Sequence, residues 1–141
     1  VDILKNKNFK VKEMPKGGVF LRKEWENNFA THLSDKDKRS IYLYDNEGYS
    51  GYLWHLFSFK KKDCLEGGEA EKAFQNVPKS ECFIFFQNSD HAFLLEDASM
   101  LHIDDLSDET GLDVYIVDKE FHWTFVRTHE TGWCGPFFCR K

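Results

Sequence analysis

The sequence predicts an α+β fold: a mainly antiparallel sheet with two or three helices packed on one side. Three observations carry that prediction. Aromatic residues make up 16% of the 141-residue chain, and 14 of them are phenylalanine; such side chains favour strands and bury much area each. Apolar, strand-like runs stand in pairs, separated by short polar turns. Between the pairs lie stretches with the four-residue spacing of an amphipathic helix. The order is helix, two strands, helix, two strands, short helix, two strands, and it closes on itself through hairpins.

Taken in order, "MPKGG" (14–18) breaks the N-terminal stretch, which leaves residues 1–18 at the periphery. "LRKEWENNFATHL" sets Leu21, Trp25, Phe29 and Leu33 four apart on one helical face, and Ser34 with "DKDKR" is expected to end that helix. "SIYLY" (40–44) alternates like a strand, and "DNEG" (45–48) is a turn signal. "YSGYLWHLFSF" (49–59) is apolar on both alternations; its aromatic content favours a buried strand, with a helix as the alternative. After the loop "KKKDCLEGG", "GEAEKAFQNV" (68–77) predicts a short helix stopped by Pro78. "ECFIFFQ" (81–87) and "HAFLLE" (91–96) flank the hairpin loop "NSD". "IDDLSDETG" gives one or two helical turns with Gly111 as the stop. "DVYIVD" and "FHWTFVR" surround "KE" as a last hairpin; that turn lacks the usual Asn or Gly, so a longer loop is the alternative. "GPFF" (135–138) is a turn followed by aromatic burial. No repeat or linker divides residues 1–141, which are expected to form a single globular domain.

Composition bounds the function. No apolar run approaches the ~20 residues that cross a bilayer, and the opening "VDILKNKNFK" has no signal-peptide core. A cytoplasmic location is expected. Cys64, Cys82, Cys134 and Cys139 show no CxxC spacing, and a chain of this size needs no disulfide framework. Reduced, scattered thiols are the expectation. The formal net charge of −5 hides an asymmetry: no Lys or Arg lies between Lys79 and Lys119, where ten Asp and Glu residues fall. Such a field repels nucleic-acid phosphates and attracts cationic partners.

Three constellations could carry chemistry. In the first, His129 and Glu130 follow a strand end, where a general base and its orienting carboxylate can meet a cleft; the plainer alternative is a histidine tying down a loop. His129, Cys134 and Cys139 form a loose H-x4-C-x4-C, one ligand short of a structural zinc site. In the second, His55 sits among Leu53, Trp54, Leu56 and Phe57, either as a neutral base or as a donor to a buried carbonyl. The third is the acidic band: Asp90, Glu96, Asp97, Asp104, Asp105, Asp108 and Glu109, read as a solvated face, a docking surface or a metal site. The twelve-residue calcium loop, phosphate-binding glycine loops, HExxH and GxSxG are all missing.

"LWHLFS" (53–58), "CLEGGEAEKAF" (64–74), "FIFFQNSDHAFLLEDAS" (83–99) and "DVYIVDKEFHWTFVRTHE…GPFF" (114–138) resemble a family of small uncharacterised bacterial proteins, domain of unknown function 4275. The resemblance implies a bacterial, intracellular, single-domain protein and brings no activity with it. It favours Trp54, His55, Trp123, His129, Glu130, Gly135 and Pro136 over His32 or His102 as site residues.

The leading expectation is a non-enzymatic, acidic interaction protein, of the inhibitor or immunity type, that docks a basic protein through the band with Trp54 and Trp123. It needs no cofactor and binds neither nucleic acid nor membrane. The alternatives are a small hydrolase or metal-dependent enzyme built on His55, His129 and Glu130, and a small-molecule-binding module with an aromatic-lined pocket.

Overall fold

The computed structural model describes residues 3–5, 8–45, 51–107 and 112–141. Its elements are β1 (Val11–Met14), α1 (Gly17–Phe29), α2 (Asp35–Ser40), α3 (His55–Ser58), β2 (Leu65–Glu66), α4 (Gly68–Asn76), β3 (Cys82–Phe86), β4 (Ala92–Leu95), a 3-10 turn (Ile103–Asp105), β5 (Val114–Asp118), β6 (Trp123–Arg127) and β7 (Phe137–Arg140). The strands form one sheet in the order β1-β4-β3-β5-β6-β7-β2. Every pairing in it is antiparallel. The α+β class and the antiparallel sheet are as the sequence predicts.

The helices do not share one side. Leu21, Trp25 and Phe29 of α1 pack with Phe85, Tyr115, Val117, Val126, Phe137 and Cys139. Ala70 and Phe74 of α4 pack with Cys82, Ile84, Phe86, Ile116, Phe125 and Phe138. These two sets alternate along the strands, so they are the two faces of one sheet. The cause is the apolar run on both alternations: β3 is Cys-Phe-Ile-Phe-Phe, and neither of its faces can be left to water. On the α1 face one polar residue is fully buried, Thr124, whose Oγ1 accepts from Trp25 Nε1 at 2.9 Å and donates to Ile116 O at 3.1 Å. A buried indole N–H needs such an acceptor.

Two segments depart from their expected elements. Ser34 does not close a helix but caps a new one: its Oγ accepts from Asp37 N at 3.1 Å, with Asp35 and Asp37 in the first turn and Lys38 and Arg39 in the last. Residues 40–44 are therefore not a strand. Ile41 and Leu43 are buried from an irregular segment, with Tyr42 between them at φ 55°. The described part of 49–59 holds no strand either; it carries α3, which puts Leu56 and Phe57 into the α1-side core. Residues 46–48 of the expected turn, positions 49 and 50, and the expected stop at Gly111 lie outside the described residues.

The last hairpin takes the longer loop. Phe121 N donates to Asp118 O at 2.9 Å, and the Asp118 carboxylate accepts from Trp123 N at 3.2 Å. Val117 pairs with Thr124, and Val114 with Arg127. A two-residue Lys-Glu turn would slide this register by two residues. The opening stretch is not loose: Ile3 and Leu4 are buried, and β1 forms the sheet edge beside β4. Among the described residues no helix is long and apolar enough to cross a membrane.

Candidate functional site

The hairpin register brings Asp113, just before β5, beside Thr128 and His129, just after β6. Asp113 Oδ1 accepts from His129 N at 2.9 Å and from Trp54 Nε1 at 3.0 Å. His129 Nδ1 lies 2.9 Å from the same oxygen and 3.2 Å from Oδ2. The Asp113 side chain is 2% exposed and that of His129 is 29% exposed. Burying a carboxylate is costly unless donors satisfy it, and here one indole, one amide and one imidazole do so. With the Nδ1 proton directed at Asp113, Nε2 carries a free lone pair when the imidazole is neutral. Glu130 Oε1 stands 3.8 Å from Nε2.

A second layer holds Trp54. Its backbone N–H donates to the Tyr115 hydroxyl at 3.2 Å, and Leu53 N–H donates to Gln87 Oε1 at 3.0 Å. The Tyr115 hydroxyl donates to that same Gln87 oxygen. Burial, reinforced by the Asp113 charge, raises the Tyr115 phenol well above its ordinary range, so it stays protonated and keeps its donor role. The Tyr52 ring stacks on Trp54 at 5.1 Å and lies 5.2 Å from His129 and 5.3 Å from His55. His55 Nδ1 is 2.8 Å from Tyr42 O, a carbonyl that also accepts from Tyr52 N at 3.1 Å. The left-handed backbone of Tyr42 thus aims one oxygen at two site residues.

The loop after His129 is tied from within. Thr128 Oγ1 donates to Cys134 O at 2.6 Å and accepts from Glu130 N at 3.1 Å. Trp133 N and Cys134 N both donate to Glu130 O. Trp133 itself is 89% exposed, an apolar side chain left in water three residues after Glu130.

Of the residues expected at a site, the fold gathers Trp54, His55, His129 and Glu130. Asp113, not Glu130, orients His129. The cysteines stay apart from it: Cys139 is buried in the α1-side core with its thiol pushed up to about 11 by burial, and burial with the charges of Glu66 and Glu130 raises Cys134. Neither is activated as a thiolate ligand or nucleophile. All four cysteines are free thiols, and among the described residues no three His, Cys, Asp or Glu side chains converge as a metal-binding group.

Several carboxylates of the acidic band find partners within the fold. Asp90 pairs with Arg22 at 2.8 Å, and Glu96 with Lys10 at 3.2 Å. Asp105 Oδ2 accepts from His102 N at 2.9 Å, Asp104 lies 3.5 Å from His102 Nδ1, and Asp97 accepts from Ser99 N at 3.0 Å. Trp54 and Trp123 are buried on opposite faces of the sheet, Trp123 stacked on Phe138 at 5.8 Å, so neither offers a surface to a partner. Asp108 and Glu109 lie outside the described residues. Asp113 and Tyr52 are the site residues that sequence reasoning passes over. The signal for Asp113 is its place at a strand end, sixteen residues before His129 across a hairpin.

Residues 1–138 match the family described as a domain of unknown function, DUF4275, and the chain belongs to it. No curated protein and no solved structure matches the chain.

Proposed function

We propose that the protein is a small acid–base enzyme of the hydrolytic type, with His129 as general base and Asp113 as the group that orients it. One observation carries this: a buried carboxylate bound to Nδ1 of a partly exposed histidine. In such a pair Nε2 takes a proton from water or a substrate hydroxyl as that oxygen attacks a carbonyl or phosphoryl centre. The imidazolium then returns the proton to the leaving group, while Asp113 stabilises the charge in between. A positioned base of this kind contributes ~10²–10⁴ in rate. Tyr52 supplies an aromatic wall for the substrate, and Glu130 lies close enough to Nε2 to hold the attacking water through a shared hydrogen bond. The test is a panel of chromogenic esters, amides, phosphoesters and glycosides with wild-type, H129Q and D113N proteins. Turnover of at least one class that both substitutions abolish is expected. No turnover in any class, or turnover that survives H129Q, contradicts the assignment.

A second reading keeps the docking role but confines it to residues 97–105. There Met100 is 82% exposed between Asp97 and Asp104, whose side chain is 91% exposed. An apolar side chain framed by carboxylates suits a basic, apolar-bearing partner. A lysine-rich peptide should bind with salt-sensitive affinity and lose at least fivefold with D97N/D104N/D105N; unchanged affinity in that variant excludes this surface.

A further inference from the structure

We infer a phosphoryl-binding groove between the C-terminal end of α1 and the turn after α3, distinct from the His129 site and independent of its assignment. The groove is open, holds about 500 Å3, and is lined by Asn28, Thr31 and His32 on one side and by Lys60, Lys61, Lys62 and Lys141 on the other, with Asp63 as its one acidic side chain. That volume falls within the range of small-molecule sites. None of these four lysines makes an ion pair among the described residues, whereas Lys10, Lys23, Lys38 and Lys119 each do.

Charge near helix ends has a plain structural use, so its size matters. A helix C-terminus presents roughly half a negative charge, and the ends of α1 and α3 together account for about one lysine. Asp63 offsets a second. A surplus of at least one positive charge remains in a protein whose formal net charge is −5.

The backbone supplies an independent observation. Lys60 N donates to Phe57 O at 3.0 Å and Lys61 N to Leu56 O at 2.9 Å. That is the Schellman pattern of a helix end, and its left-handed position ordinarily takes glycine. Here Lys60 occupies it at φ 57°. A side chain is held where its absence would relieve the backbone, and such outliers gather at ligand-binding positions. His32 Nε2 reaches Lys61 O at 2.6 Å, which fixes the lysine turn against the end of α1. Clustered ammonium groups with flanking amide and hydroxyl donors recognise a compact, multiply charged anion, and the ligand class that fits is a di- or triphosphate group.

Calorimetry with inorganic pyrophosphate and with ADP at low salt tests the groove, against sulfate at matched ionic strength. K60G/K62Q is the diagnostic variant, because glycine suits the left-handed position and circular dichroism will report an intact fold. Submillimolar binding that falls at least tenfold in K60G/K62Q supports the groove. Tighter binding of ADP than of pyrophosphate then assigns it to a nucleotide, and equal binding assigns it to the phosphates alone. No binding at 10 mM ligand, equal competition by sulfate, or affinity unchanged in K60G/K62Q overturns it.

Discussion

A carboxylate with 2% of its side chain exposed, as at Asp113, is stable only while its donors stay in place. Removing it leaves the Trp54 indole and the His129 amide without an acceptor. D113A should therefore lose ~3–5 kcal/mol of stability in urea denaturation. D113N keeps an acceptor oxygen and should lose less, ~1–3 kcal/mol, while abolishing turnover. Glu26 makes a different case at the same scale. Burial pushes its carboxyl up, but hydrogen bonds from Lys38 and Tyr44 and the charges of Lys38 and Lys23 outweigh that and hold it below the usual 4.5. A depressed carboxyl stabilises the fold in full above its unfolded value and loses that contribution as pH falls through the folded one. Stability should thus drop more steeply below pH 4.5 in the wild type than in E26Q; parallel pH profiles would contradict the sign.

At the scale of elements, α4 covers one sheet face together with the segments that carry Leu4, Leu101 and Leu106, and Phe74 is its largest side chain there. Phe74 is fully buried and stacks on Phe125 at 4.5 Å, with Trp123 edge-on at 5.9 Å. F74A should cost ~3–5 kcal/mol, whereas F20A on α1, 60% exposed, should stay within ~0.5 kcal/mol. Chemical denaturation of the two variants checks both values. Elements with a clear period or clear turn signals were legible in the sequence: the Leu21–Trp25–Phe29 stripe, the short helix before Pro78, and the Phe-rich hairpin of β3 and β4, set off by its Asn-Ser-Asp loop. Two segments were not, for physical reasons. Ser34 and the charges after it suit the start of a helix as well as the end of one. The run 49–59 is apolar on both alternations, and its described part, 51–59, threads the core as a loop and one helical turn rather than lying in a ladder covered on two sides.

Across the whole molecule, the linear charge pattern misleads because the fold interleaves the two halves of the chain. Arg22 and Lys10 come from the basic half to meet Asp90 and Glu96, and Asp113 leaves the surface altogether. A charge count along the sequence cannot see those pairings. The candidate site was half legible: Trp54, His55, His129 and Glu130 stood in distinctive stretches, but Asp113, which anchors Trp54 and His129, was hidden by the hairpin register. A two-residue turn places Asp113 opposite Val126, and only the longer loop brings it beside His129. Ile3 and Leu4 reach the α4-side core, and β1 extends the sheet edge beside β4.

The most direct measurement is kcat/KM for wild type, H129Q and D113N on whichever substrate the panel reveals. H129Q should run at least ~100-fold slower than the wild type. A kcat/KM left unchanged in H129Q would place the base elsewhere and remove the dyad from the chemistry.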